Sequence, residues 1–288
     1  MGFQDMYDRL VTDLRDPRTD GWFMMSTPWP TLAAVTIYIL FVSFGRKFMA
    51  CRQPFELKNI LICYNFCLVL LSAILFEEFL VSAWFRSGFS LVCEPVNGSN
   101  DPMSIRLANA CWWFYFSKII ELLDTIFFVL RKKNNQISFL HVYHHTTMPI
   151  LWWVGVKFVP GGESYFSASI NSFIHILMYT YYLLSAFGPR MQKYLWWKKY
   201  MTTLQLLQFW AILLHTIQAM YVSCGFPVGY GVALITYMVS HIILFSNFYY
   251  QTYHKKARLA QKTSENTNHV ANGFMNGYDH HKHSLKVE

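Results

Sequence analysis

The sequence predicts an all-α polytopic membrane protein with seven transmembrane helices, and three observations carry that reading. Of the 288 residues, 54% are hydrophobic, 18% aromatic and only 14% charged. The apolar residues gather into seven runs, each near the ~20 residues that a helix needs to cross hydrocarbon. The basic residues between the runs alternate from one side to the other. A soluble helical protein also has apolar helices, but not this many of such even length.

In chain order the runs are 31–48, 60–79, 107–130, 137–156, 165–187, 200–221 and 228–250. The first, fourth, sixth and seventh are expected to qualify on hydropathy alone. The third carries Lys118, Glu121 and Asp124, so it spans only if those groups face a protein interior. The connections after the odd-numbered runs hold Arg46, Lys47, Arg52 and Lys58; Arg131, Lys132 and Lys133; Arg190, Lys193, Lys198 and Lys199; and Lys255, Lys256, Arg258 and Lys262. The other side has Arg9, Arg15, Arg18, Arg86, Arg106 and Lys157, so the count is fifteen against six. Cytosolic loops collect Lys and Arg, which puts the N-terminus in the lumen and the C-terminus in the cytosol. The net charge of +8 reflects this topology and implies no nucleic-acid partner.

The expected organisation is a lumenal segment 1–28, a membrane domain 29–253 and a tail 254–288. The tail is rich in Asn, His, Lys and Ser and is expected to be disordered. The first twenty residues are polar and lack the apolar core of a signal peptide, and Met6 stands where N-myristoylation wants Ser or Thr. Asn97-Gly98-Ser99 is a glycosylation sequon in a lumenal loop. Cys93 and Cys224 are the two lumenal cysteines of this topology and are expected to form a disulfide in an oxidising compartment, two free thiols being the alternative.

Within the runs the polar residues fall on stripes. His141, His144 and His145 share one face at positions i, i+3 and i+4. Lys118, Glu121 and Asp124 form a second stripe, Asn171, His175, Tyr179 and Tyr182 a third, and Gln205 and Gln208 a fourth. At a 1.5 Å rise per residue, these groups lie roughly 8–24 Å below the cytosolic ends of their helices. Four helices thus offer polar groups to one zone that opens to the cytosol. Alone, Lys118 and Glu121 read equally well as a self-neutralising i,i+3 pair. His215 and His241 read as hydrogen-bonded interior histidines, and Trp196 and Trp197 as interfacial residues. Clustered intramembrane histidines mark function. One chemistry is a diiron site of the desaturase or hydroxylase kind, for which a single histidine box supplies too few ligands. Another is nucleophilic and general-base catalysis by imidazole. A seven-span receptor would open its pocket to the outside instead.

The residues also resemble a known family. Lys118-Ile-Ile-Glu121-Leu-Leu-Asp124-Thr125, Phe139-Leu140-His141-Val142-Tyr143-His144-His145, Asn171-Ser-Phe-Ile-His175-Ile-Leu-Met178-Tyr179-Thr-Tyr181-Tyr182 and Thr203-Leu-Gln205-Leu-Leu-Gln208 are similar to the ordered motifs of the ELO family of very-long-chain fatty acid elongases. The likeness runs from about residue 16 to residue 253, and Gln136 with Asn171–His175 resembles the branch acting on polyunsaturated and very-long-chain acyl groups. It implies six of the seven helices in a ring around a narrow acyl tunnel. It also implies the first step of microsomal elongation, in which acyl-CoA and malonyl-CoA condense to a 3-oxoacyl-CoA two carbons longer. No bound cofactor or metal is expected. The expected partners are membrane lipid, the reductases and dehydratase of the cycle, and a second copy in a homodimer. The tail matches the family's dilysine-type retrieval signal only at Lys286, so residence in the endoplasmic reticulum rests on family and topology.

On this reading His144 attacks the thioester to give an acyl-imidazole, with His175 as its partner. His141, His145 and Asp124 fix ring tautomers and orientation. Asn171, Tyr179, Gln205 and Gln208 hydrogen-bond the thioester and malonyl groups. Tyr182 shares their stripe, and Lys118 and Glu121 support the tunnel wall as a pair. Direct condensation, with His144 only as a base, is the alternative.

Overall fold

The computed structural model describes residues 14–223 and 225–255. Among these there are eight α-helices and no strand. They are α1 Trp29–Ala50, α2 Lys58–Phe79, α3 Pro102–Ile120, α4 Leu122–Leu130, α5 Phe139–Phe158, α6 Ser164–Ala186, α7 Lys198–Val222 and α8 Val228–Tyr249. Each expected run is helical, and the third is divided into α3 and α4 at Glu121. By packing, the chain separates into Met1–Ile242 and Ile243–Glu288. The second unit contributes the end of α8 and a π-helical turn, Tyr250–Lys255, to the described residues. The tail from 256 onward and Cys224 lie outside the described residues.

Three helical stretches are long and apolar enough to cross a membrane, Trp29–Ala50, Lys58–Trp84 and Val228–Tyr253. The first and last agree with expectation, and the second joins them. The helices of runs four and six fall outside this set. The histidine box dilutes the hydropathy of α5, and Lys198, Lys199, Gln205, Gln208, His215 and Gln218 dilute that of α7. Large apolar side chains point outward on several helices. Ile37, Phe44, Ile74 and Leu214 are each more than half exposed, while Lys118, Glu121 and His175 are buried. Apolar outside and polar inside is the distribution that hydrocarbon solvent favours.

Helix α2 packs along α6, α3 lies against α2, α5 and α6, and α1 covers α4 and α5. Tyr38, Val42, Met49, Leu122, Val129 and Ile137 form a buried cluster between α1, α4 and the start of α5. At this end two of the basic loops, those after the first and third runs, meet. Phe55 N–H donates to the Leu130 carbonyl at 3.0 Å, and Lys132 Nζ donates to the carbonyls of Ala50 at 3.0 Å and Arg52 at 2.9 Å.

The opposite end gathers the N-terminal segment, the loop between α2 and α3, and the turn between α5 and α6. Asp16 N–H donates to the Lys157 carbonyl at 2.9 Å, Trp153 Nε1 to Met24 O at 2.8 Å, and Tyr165 OH to Leu91 O at 2.8 Å. Gly162 sits at φ +53°, where a Cβ would come within 2.9 Å of Val96 N, so the turn and the loop touch backbone to backbone. Cys93, in the same loop, is disulfide-bonded, whereas Cys51, Cys63, Cys67 and Cys111 are free.

Glu163 caps this end just before α6. Its Oε1 accepts from the Glu94 N–H, and its Oε2 lies 3.3 Å from His215 Nδ1. His215 Nε2 is 2.9 Å from the Leu91 carbonyl, which can only accept, so that nitrogen carries the proton and Nδ1 is left to receive one. Burial, with the Glu94 charge adding to it, pushes the Glu163 carboxyl up to about 7. An unfolded Glu titrates near 4.3, so between about pH 4.3 and 7 the folded form holds a proton that the unfolded form has released, and stability falls as pH rises through that window. Replacing Glu163 with Gln removes this slope. The melting temperature of Glu163→Gln relative to the parent should therefore rise between about pH 5 and 7.5, as measured by thermal unfolding in detergent. A difference that stays constant across that range would contradict the assignment.

Candidate active site

The third run breaks where its charges sit. The Glu121 N–H still donates to Ser117 O at 2.8 Å, but Asp124 N–H reaches back only three residues, to Glu121 O at 3.1 Å. Tyr64 OH donates to the Ile120 carbonyl at 3.4 Å. Such a tightened turn inside a helix is a common mark of a functional segment. It holds Lys118 and Glu121 side by side, with Nζ 2.8 Å from Oε1 and both side chains buried. An ion pair is stable in that position only if its remaining hydrogen-bond capacity is also filled. Lys118 Nζ donates to Asn171 Oδ1 at 3.1 Å and lies 3.5 Å from His175 Nδ1. Glu121 Oε1 lies 3.3 Å from the same His175 nitrogen and accepts from Ser117 Oγ at 3.2 Å. One turn further along α6, Tyr179 OH donates to Asp124 Oδ2 at 2.9 Å. Two of the expected stripes thus meet across α3, α4 and α6.

The histidine box opens α5. Ser138 caps the helix by accepting from the His141 N–H at 3.2 Å, and that phase sets which way each imidazole turns. His141 Nε2 is 2.7 Å from Thr125 Oγ1, which is itself 3.0 Å from Tyr38 OH. His145 is buried beside His141, with ring centroids 4.2 Å apart. His144 turns away from both. Its Nδ1 is 3.2 Å from Nε2 of His241 on α8. Pro149, one turn beyond the box, has no N–H to offer the His145 carbonyl, while Thr147 Oγ1 donates back to Tyr143 O at 2.7 Å.

Beside this cluster lies a cavity of about 720 Å³. Down α5 its wall is His144, Met148, Leu151, Trp152, Gly155 and Val159, a run of roughly 22 Å at 1.5 Å per residue. Down α8 it is bordered by His241, Met238, Leu234 and Gly231. Asn171, Gln208, Phe209 and Ile212 close the sides, and Glu163 and Ser164 stand at the far end. Of the three box histidines, only His144 borders it. The result is a long apolar slot with an imidazole, a carboxamide from each of two helices and a second imidazole near one end.

The expected residues are unevenly distributed around this slot. His144, Asn171 and Gln208 line it. Lys118, Glu121 and His175 sit behind Asn171, and Asp124 with Tyr179 lies one turn further on. Gln205 donates to Met178 Sδ at 3.7 Å and does not line the slot. Nor does Tyr182, which is 37% exposed with its ring 6.0 Å from that of Tyr179. Gln208 Oε1 is buried without a hydrogen-bond partner. His241 was expected only to be a bonded interior histidine. It is fully buried and hydrogen-bonded, and one of its partners is His144. Depth could have revealed it, since nine residues separate it from the end of run seven, roughly 13 Å, close to the depth expected for His144. Among the described residues, no three His, Cys, Asp or Glu side chains come together as a metal site.

An apolar slot beside buried imidazoles within a largely apolar helical bundle fits a membrane enzyme acting on a hydrophobic substrate. The family model described as ELO, GNS1/SUR4 family, matches residues 23–261, and the chain belongs to that family. It is 50% identical over 259 residues to very long chain fatty acid elongase 4 of Homo sapiens, covering 90% of this chain and 82% of the relative. It is 47% identical over 267 residues to elongase 5 of Tachysurus fulvidraco (92% and 90%) and 46% identical over 278 residues to elongase 7 of Drosophila melanogaster (96% and 83%). The comparisons favour an elongase over the diiron alternative.

Removing Lys118 alone leaves a buried carboxylate without its cation, a loss of about 3–5 kcal/mol for a buried pair. Lys118→Met should therefore lower the melting temperature more than the double variant Lys118→Met/Glu121→Gln, which removes both charges. Equal or additive losses in thermal unfolding would show that the pair is not coupled.

Proposed function

We propose that this protein performs the condensing step of fatty acid elongation through an acyl-imidazole on His144. The family establishes the reaction class, in which a long-chain acyl-CoA and malonyl-CoA give a 3-oxoacyl-CoA two carbons longer, with loss of CO2 and CoA. One observation supports the choice of residue: His144 is the only box histidine that borders the apolar slot. An acyl chain lying along α5 toward Val159 would bring its thioester carbonyl carbon to His144. Attack by the imidazole breaks the C–S bond and releases CoA. Malonyl-CoA then loses CO2, and its enolate carbon takes the acyl group and frees the ring. Asn171 and Gln208 are placed to hydrogen-bond the thioester and malonyl carbonyls. His175, held by Glu121, orients the second substrate. His141, His145 and Asp124 hold the surrounding helices in register.

The same reading completes the setting. Seven helices span the endoplasmic reticulum membrane, six of them in a ring, with α3 and α4 acting as one span. The basic loops face the cytosol and receive the CoA groups. Residues 1–28 are lumenal, 29–253 form the elongase domain and 254–288 the cytosolic tail. Asn97 carries a glycan, and Cys93 pairs with Cys224. Polyunsaturated and very-long-chain acyl groups are the substrates. The reductases and dehydratase of the cycle work beside the enzyme, which pairs as a homodimer. No resident cofactor takes part.

The chemistry is tested in purified protein given acyl-CoA alone. One equivalent of CoA should be released before malonyl-CoA is added, and acyl mass should appear on a peptide containing His144. His144→Ala should lose both this burst and elongation, by at least about a hundredfold. Normal elongation by His144→Ala, or no CoA release from the parent, would overturn the mechanism.

Topology and disulfide are tested together in sealed microsomes with a membrane-impermeant maleimide. Cys51, exposed beside the basic loops, should label at once. Cys93 and Cys224 should label only after permeabilisation and reduction. A protected Cys51 would reverse the orientation, and labelling of Cys224 without reduction would sever the proposed pair.

A further inference from the structure

Resting on the acyl-His144 reading, we infer that His241 is a positioning residue for the condensation: it holds His144 in the one neutral tautomer that leaves the Nε2 lone pair free to attack, and takes the proton that acylation makes acidic. The assignment follows from what each partner can accept. His241 Nδ1 lies 3.0 Å from the Tyr237 carbonyl oxygen. A carbonyl oxygen only accepts, so Nδ1 carries the hydrogen. The Nε2 of the neutral ring then has a lone pair. His144 Nδ1, 3.2 Å from that atom, must be the donor, which leaves the lone pair of His144 on Nε2. Which nitrogen of an imidazole is free is set by the bond the other makes.

The bond is held from both sides. Tyr143 OH and Ser240 Oγ are 3.0 Å apart, and Ser240 Oγ donates to Tyr237 O at 2.7 Å. Thr147 Oγ1 and Tyr237 OH are 2.9 Å apart. These contacts tie α5 to α8 on either side of the histidine pair, so the distance between the two rings does not depend on the rings themselves. His241 is fully buried, which keeps water from competing for the His144 proton. When Nε2 attacks the thioester, the C–N bond forms, the C–S bond breaks and the thiolate leaves. The acylated ring then holds an acidic Nδ1 proton, which His241 Nε2 can receive. That proton returns to Nδ1 when the malonyl-derived carbon displaces the ring, so the pair ends as it began. His175 repeats the pattern more loosely, with Nδ1 near Glu121 Oε1.

The test is the rate of CoA release from acyl-CoA alone, in single-turnover experiments on full-length protein in detergent. His241→Leu removes the acceptor. His241→Gln keeps a carbonyl oxygen able to accept from the His144 N–H. Relative to the parent, His241→Leu should slow acylation and kcat by about 10–100-fold, the usual effect of losing a partner that orients a reactive ligand, with KM for acyl-CoA changed less than about twofold. His241→Gln should recover part of the acylation rate. A parent-like acylation rate in His241→Leu overturns the inference. So does equal loss in both variants accompanied by a raised KM, which is the signature of a packing defect. A parent enzyme that releases no CoA removes the acyl-histidine reading and this inference with it, whereas a burst retained in His241→Leu removes only the role of His241.

Discussion

The buried ion pair between Lys118 and Glu121 is the constraint on which the rest of the site depends. Charges at that depth are tolerated only where every hydrogen-bond position is filled, and filling them recruits three more helical positions: Ser117 on the same helix and Asn171 and His175 on α6. The pair therefore fixes the rotation of α3 against α6. It also accounts for the tightened turn at Glu121, which brings Asp124 round to Tyr179 and Thr125 to His141 within the next turn. A helix that satisfied its own charges in isolation would have no reason to bend there, and the stripe on α6 would have nothing to face.

His144 and His175, the two histidines given roles toward the substrates in the proposed chemistry, are each held through Nδ1, but by different means. His175 meets a carboxylate already neutralised by an amine. His144 meets a second imidazole whose own orientation comes from a backbone carbonyl. A carboxylate beside His144 would draw its proton strongly and place a charge against the apolar slot. A neutral imidazole fixes the tautomer without that charge, which suits a wall that includes Phe114, Met148, Leu151 and Trp152.

Much of this was legible from residue spacing. Seven apolar runs located the eight α-helices among the described residues, because the need to satisfy backbone groups in hydrocarbon leaves a long apolar run little choice but helix. Stripes at i, i+3 and i+4 placed Lys118, Glu121, Asn171, His175 and Tyr179 in one cluster, since a helix rotates by a fixed angle per residue. What spacing could not supply was the relative rotation of helices far apart in sequence. His141 and His144 share a stripe, yet one turns to Thr125 and the other to His241, 97 residues on. Gln205 and Gln208 are one turn apart, but only Gln208 reaches the slot. The expectation that runs four and six qualify on hydropathy alone failed, because the histidine box and the Lys and Gln residues of α7 lower the apolar score of those helices.

The apolar character of the slot has a chemical consequence. Acyl-imidazoles are open to hydrolysis, so an enzyme that forms one must hold it until the second substrate arrives. Here the acyl chain itself would fill the space beside His144, where much of the wall is apolar and the polar groups left for water include Asn171 and Gln208, with Ser167, Thr216, Glu163 and Ser164 further along. Water is then scarcest when the intermediate is present, because substrate and solvent compete for the same volume. A chain too short to fill the slot would leave room for water beside the acylated ring. Length selection and protection of the intermediate would then be two effects of one filled cavity.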